Sequence, residues 1–173
     1  MNCEPNHLSL FKPNFENLRT YILNFEIIYV GGGNTFNMLA IWKAWGLDSI
    51  LVEAWKKGII LCGISAGSIC WFEQGLTDSF SSTEYRKMDC LGLIKGSNCP
   101  HYNNEEKRRE TYKNLIKTKV LKSGIGVDDC AALHYVNGEL KKIISSNKEA
   151  KAYRVSLRNN EIDEKIIFPE FLG

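Results

Sequence analysis

Two periodicities divide this chain of 173 residues. Unbroken apolar runs of strand length are followed by stretches whose apolar residues fall three and four apart. Strands and helices therefore alternate, as in an α/β layered fold with parallel strands. His7 to Phe11 reads as a short strand, and Asn14 to Asn24 as a short helix with Leu18, Tyr21 and Ile22 on one face. Glu26-Ile27-Ile28-Tyr29-Val30 is a buried strand running into Gly31-Gly32-Gly33-Asn34-Thr35. Phe36 to Trp45 has helical spacing and is stopped by Gly46, and a second helix, Leu47 to Lys57, is stopped by Gly58. An apolar strand then drives from Ile59 into Gly63-Ile64-Ser65-Ala66-Gly67, and a helix-compatible stretch leaves it. Asp89 to Gly96 leads to Asn98-Cys99-Pro100-His101. Glu105 to Lys122 is a long polar-faced helix whose buried stripe is Tyr112, Leu115, Ile116 and Val120. Ser123 to Val136 holds a strand, a turn at Asp128-Asp129 and another strand. Two hairpins close the chain, Ala132 to Ile144 around Asn137-Gly138 and Ala152 to Ile167 around Asn159-Asn160.

Length and composition refine this picture without changing it. The chain is long enough for a single domain, 1–173, with a real core, and 44% hydrophobic with 24% charged residues is ordinary for a globular protein. A net charge of +2 gives no case for nucleic acid, and the Lys107-Arg108-Arg109 cluster is interleaved with Glu105, Glu106 and Glu110 as on a solvated helix face. No apolar run is long enough for a membrane span, and Met1-Asn2-Cys3-Glu4-Pro5 lacks the basic start and apolar core of a signal peptide. The six cysteines form no C-x-x-C pair and fall mostly in apolar stretches, which suits reduced thiols in a cytoplasmic protein. Only about one βα unit precedes Gly31, where such sheets usually have more. The expectation is that either further units lie upstream of Met1, or the sheet is N-terminally shortened, with an edge that a second subunit covers in a homodimer.

The chemistry concentrates on the segment around Ser65. A serine between glycines at a strand-to-helix turn reads as a nucleophile elbow, with small residues at 63 and 67 allowing strand and helix to pack closely. A serine nucleophile needs a base, and there are three histidines, His7, His101 and His134. His7 lies far upstream and His134 sits within a strand pattern. His101 follows Pro100 at a strand end, where sites assemble in open α/β sheets, and is the favoured base. The base needs an acid to orient it. Asp128 and Asp129 on their turn are candidates, and Asp78 in Thr77-Asp78-Ser79 is another. The glycine loop at 31–33 lacks the G-x-G-x-x-G spacing of a dinucleotide site and reads as a close-approach loop. One of its amides can pair with that of Ala66 to form an oxyanion hole.

Three motifs occur in order: Tyr29-Val30-Gly31-Gly32-Gly33-Asn34-Thr35-Phe36, Gly63-Ile64-Ser65-Ala66-Gly67-Ser68 and Asn98-Cys99-Pro100-His101-Tyr102-Asn103-Asn104. Together they resemble the aspartyl dipeptidase (peptidase E) family of serine peptidases, to which the cyanophycinases are related. The resemblance runs from about Ile27 to Val136. It implies a flavodoxin-like, open, mostly parallel sheet with helices on both faces, similar to the class I glutamine amidotransferases. It also implies Ser65 as nucleophile, His101 as base, and an oxyanion region at Gly32 and Ala66, with Gly31 and Asn34 of the same loop near the substrate. The third member in that family is the glutamate of a Gly-x-x-Glu turn. Gly126-Val127-Asp128-Asp129 places Asp129 there, one methylene shorter. An arginine after the histidine binds the side chain of an N-terminal Asp in that family, and Arg109 is the nearest match. The substrate so implied is a small peptide, down to dipeptides with an N-terminal Asp, cleaved without metal or organic cofactor. The rival readings are a hydrolase of non-peptide amides or esters and a binding protein that keeps the elbow without catalysis.

Overall fold

The computed structural model describes residues 3–81, 83–104 and 106–173, so Glu105, the predicted start of the long helix, lies outside the described residues. The first apolar run forms β1 (Ile27–Val30) and pairs in parallel with β2 (Ile60–Gly63), the strand that leads to Ser65. Between them lie α2 (Thr35–Trp45) and α3 (Leu47–Lys56), separated by Gly46 in the left-handed region at φ 67°. They pack with α1 (Leu18–Leu23) around Trp42, Leu47, Leu51 and Ala54. The other face of the β1/β2 pair carries Ile27, Tyr29 and Ile60, all exposed.

After Ser65 comes α4 (Ala66–Ile69), a single turn, and the chain re-enters a sheet at once as β3 (Phe72–Thr77). A six-stranded sheet is then assembled from β3, β4 (Arg86–Asp89), β5 (Ile94–Cys99), β6 (Gly124–Val127), β9 (Ala152–Arg158) and β10 (Glu161–Ile167). Its order is β10-β9-β6-β5-β3-β4, with β3, β5 and β6 mutually parallel and the outer strands antiparallel. A third sheet joins β7 (Ala131–Val136), β8 (Glu139–Ser145) and β11 (Glu170–Phe171) in the order β11-β8-β7. Helix α5 (Glu106–Lys117) covers one face of the large sheet through Tyr112 and Ile116, against Leu76, Cys99 and Val155. The three-stranded sheet covers another part, where Phe72, Ile125 and Ile143 meet.

Several expectations are corrected here. The chain is mixed α/β, but the described strands form three sheets with four parallel and four antiparallel pairings, not one mostly parallel sheet. Two of the four antiparallel pairings come from the two hairpins. Asn137-Gly138 and Asn159-Asn160 all have positive φ, as tight hairpin turns demand, and each fixes an antiparallel pair. His7 to Phe11 is not a strand: the segment finds no pairing partner and instead lays Leu8 and Leu10 on the α1–α3 cluster. Helix α5 stops at Lys117 rather than Lys122, because the chain turns left-handed at Lys119, φ 60°.

Candidate active site

Ser65 stands between the end of β2 and the start of α4 with φ 55° and ψ −115°, outside the regions open to ordinary side chains. Such a conformation persists only where the surroundings impose it. Gly63 and Gly67 supply the imposition: a Cβ at either would collide with the carbonyl oxygen of Val30, so β1 and α4 clasp the elbow from both sides. Gly32 also approaches closely, and a Cβ there would sit 3.4 Å from that of Ser65. Ala66 contributes the first amide of α4, a position with no intrahelical acceptor. The Ser68 hydroxyl donates to the Ser65 carbonyl at 2.8 Å and lies 3.3 Å from the Asn98 Oδ1. This ties the elbow to β5.

β5 and β6 are parallel neighbours, so their C-terminal ends emerge side by side. His101 follows the first and Asp129 the second. The Tyr102 amide donates to the Val127 carbonyl at 3.1 Å and draws the two turns together. His101 has φ 58°, and its ring spans the gap. Nε2 is 3.0 Å from Ser65 Oγ, and Nδ1 is 2.6 Å from Asp129 Oδ1. With the carboxylate as acceptor, Nδ1 carries the proton and Nε2 is free to accept from the serine hydroxyl. The structure thus brings Ser65, His101 and Asp129 into one hydrogen-bonded line.

The remaining expected positions fall differently. Asp128 turns inward: its amide donates to the Lys151 carbonyl at 3.0 Å, and its Oδ2 accepts the Lys151 amide at 2.9 Å. Burial raises its carboxyl above the ordinary range, and that hydrogen bond offsets only part of the rise. Asp78 pairs with the buried Arg108 at 3.4 Å rather than with an imidazole. His7 lies in the irregular N-terminal segment, and His134 is exposed on β7 opposite Lys142. Asn34 caps α2, accepting from the Asn37 amide at 2.9 Å and donating to the Ser79 carbonyl at 2.8 Å, so its amide is used at both ends. Gly31 is open, with nothing within 4 Å of where a Cβ would be.

Arg109 is taken up by an ion pair. Its Nε and Nη2 both donate to the Glu164 carboxylate on β10, and its guanidinium lies over the rings of Tyr102 and Tyr153. The Tyr102 hydroxyl donates to the same carboxylate at 2.6 Å. Burial alone would raise the Glu164 carboxyl, but these hydrogen bonds outweigh it and hold it below the ordinary range. Glu105, four residues before Arg109 on the same predicted helix, lies outside the described residues. Sequence reasoning missed Glu164 because nothing local links a hairpin residue to a helix 55 positions earlier. It gave no role to Asn103 and Asn104 of the third motif, both of which bond to Asp129. Their adjacency to His101 was the available signal. Among the described residues no cluster of three or more His, Cys, Asp or Glu forms a metal site, and no helix is long and apolar enough to cross a membrane.

A serine on a clasped elbow, an imidazole and a carboxylate held in line on a mixed α/β frame are the parts of a hydrolytic site. The chain belongs to peptidase family S51, whose sequence pattern matches residues 1–143. It is 50% identical over 173 residues to the uncharacterized peptidase YgaJ of Bacillus subtilis (strain 168), covering 100% of this chain and 74% of that one. It is 31% identical over 101 residues to the uncharacterized peptidase Lmo0363 of Listeria monocytogenes serovar 1/2a, covering 56% of this chain and 49% of that one. Peptidase E of Citrobacter koseri is 32% identical over 100 residues, covering 56% of this chain and 44% of the other. The chain spans about half the length of these last two.

Proposed function

We propose that this chain is a serine peptidase acting on small peptides through Ser65, His101 and Asp129. One observation carries the reading, the unbroken line from Ser65 Oγ through His101 to Asp129. In the first step Ser65 Oγ attacks the scissile carbonyl carbon while His101 Nε2 accepts its proton. Asp129 holds the imidazolium and its tautomer, and the amides of Gly32 and Ala66 face the developing oxyanion. Collapse of the tetrahedral species breaks the C–N bond, and the leaving amine takes the proton back from Nε2. Water, deprotonated by the same nitrogen, then attacks the acyl-serine, and the proton returns from Nε2 to Ser65 Oγ as the ester bond breaks and the acid leaves. A cytoplasmic setting suited to the six free thiols belongs to the same reading.

The acidic preference is assigned to Arg109, and its charge is already matched by Glu164. The reading is therefore a small-peptide hydrolase without an Arg109-borne acidic preference. The test is hydrolysis of Leu-Leu beside Asp-Leu. Comparable kcat/KM is expected for both, and Arg109→Ala should leave their ratio within about twofold. The same variant should lower Tm by roughly 3–6 °C, since it takes the bidentate partner from a half-buried carboxylate and leaves it to Tyr102 and Lys113, at a cost of about 1–2 kcal/mol after discounting for partial exposure. A wild type that cleaves neither dipeptide defeats the peptidase reading, and a ratio that collapses in Arg109→Ala restores the acidic preference.

The exposed Ile27, Tyr29 and Ile60 on the β1/β2 pair support the further proposal that a second copy covers this face in a homodimer, since parallel strands are ordinarily covered on both sides. Light scattering at high concentration should give twice the chain mass. A clean monomer removes the dimer.

A further inference from the structure

We infer that Asn103 and Asn104 are positioning residues that fix the Asp129 carboxylate against His101, so that the orienting acid is held by the loop of its own base. Asp129 is gripped at two levels. Its backbone amide donates to Asn103 Oδ1 at 3.0 Å, which places the main chain, and Asn104 Nδ2 donates to Asp129 Oδ2, which sets the rotation of the carboxylate. Only Oδ1 is then left to face His101 Nδ1, at 2.6 Å. The need for such a grip is physical. The Asp129 side chain is 33% exposed, so water competes for Oδ2 and can turn the carboxylate away from the ring. It is also a short side chain, with reach set almost entirely by where its backbone stands. A neutral amide meets both demands, because it donates a charge-assisted hydrogen bond without neutralising the acid as an arginine or lysine would.

The loop geometry makes the grip reciprocal. The Asn104 amide closes back on the His101 carbonyl at 3.4 Å, so His101 to Asn104 is a single tight turn. A turn that presents the imidazole at one end and the carboxylate's anchor at the other moves base and acid together. Displacement of the loop shifts the pair relative to Ser65 but does not open the bond within the pair.

The catalytic consequence rests on the serine peptidase reading; the grip itself does not, and the experiment separates the two. Two readouts are taken on wild type, Asn104→Ala and the isosteric Asn104→Asp. Asn104 is exposed, so both variants retain the packed core. The first readout is the downfield proton resonance of the His101 Nδ1–H···Asp129 bond, followed by NMR with labelled histidine. The second is the rate at which a fluorophosphonate labels Ser65. Wild type should show the resonance, and both variants should lose or broaden it, with labelling slowed by about tenfold, as expected when a catalytic group is misaligned. Asn103→Ala should likewise weaken or broaden the resonance. A resonance unchanged in both Asn104 variants, or missing from the wild type, overturns the inference. A resonance that responds to Asn104 in a wild type that the probe never labels keeps the grip and removes the peptidase reading instead.

Discussion

Ser65→Ala is expected to reduce kcat/KM on a small peptide by about 10⁴-fold to 10⁶-fold, the range seen when the nucleophile of a catalytic triad is removed. The expectation is strong because nothing nearby can substitute. Ser68, the next hydroxyl, is engaged with the Ser65 carbonyl and with Asn98, and it lies one helical turn past the elbow. The substitution should leave the fold intact, since alanine fits wherever the serine Cβ fits and the strained backbone is held by Gly63 and Gly67 rather than by the hydroxyl. Steady-state hydrolysis by a variant with wild-type Tm is the measurement. Turnover within tenfold of wild type in that variant assigns the nucleophile elsewhere.

Asp129→Asn should cost roughly a thousandfold or more, because an amide at this position favours the wrong imidazole tautomer while leaving the geometry in place. Its neighbour is the built-in control. Asp128→Asn should keep activity within about threefold, as Asp128 faces Lys151 and not His101. The neighbour's signature is in stability. A carboxyl raised by burial favours folding while it is protonated, below about pH 4, and that advantage is lost as pH climbs through its higher folded-state value. Removing the titration in Asp128→Asn should therefore improve stability relative to wild type on going from about pH 3 to pH 7. Thermal melts at the two pH values read the change. Equal activity losses from the two substitutions return both residues to the ordinary role of turn formers.

The parts of this site that were legible in the sequence are those whose chemistry constrains residue type locally. A strained serine tolerates only small neighbours, so Gly63 and Gly67 announced the elbow. With three histidines and one at a strand end, His101 stood out. Asp129 was separable from Asp128 only through the family resemblance, because adjacent turn residues look alike until the backbone says which way each faces. What stayed hidden depends on distant pairing. Glu164 arrives on an antiparallel hairpin and takes up Arg109, a contact without any trace in the spacing of either residue. β3 was hidden by the brevity of α4: a helix of four residues gives no period to read, and Phe72-Glu73-Gln74-Gly75 alternates poorly. Asn103 and Asn104 were hidden by being ordinary, since asparagine after a strand end usually signals nothing more than a loop.

The elbow and its partners stand on different sheets. Ser65 rides on the two-stranded pair and the histidine and acid on the six-stranded one, with α4 as the short covalent bridge and the Ser68–Asn98 contact beside it. Under the proposed mechanism, competence is a matter of alignment between two bodies, each of which can be intact by itself. A tilt of an ångström at this seam breaks the proton path while leaving every strand pairing whole. Conditions that loosen the seam should silence the enzyme well before they melt it.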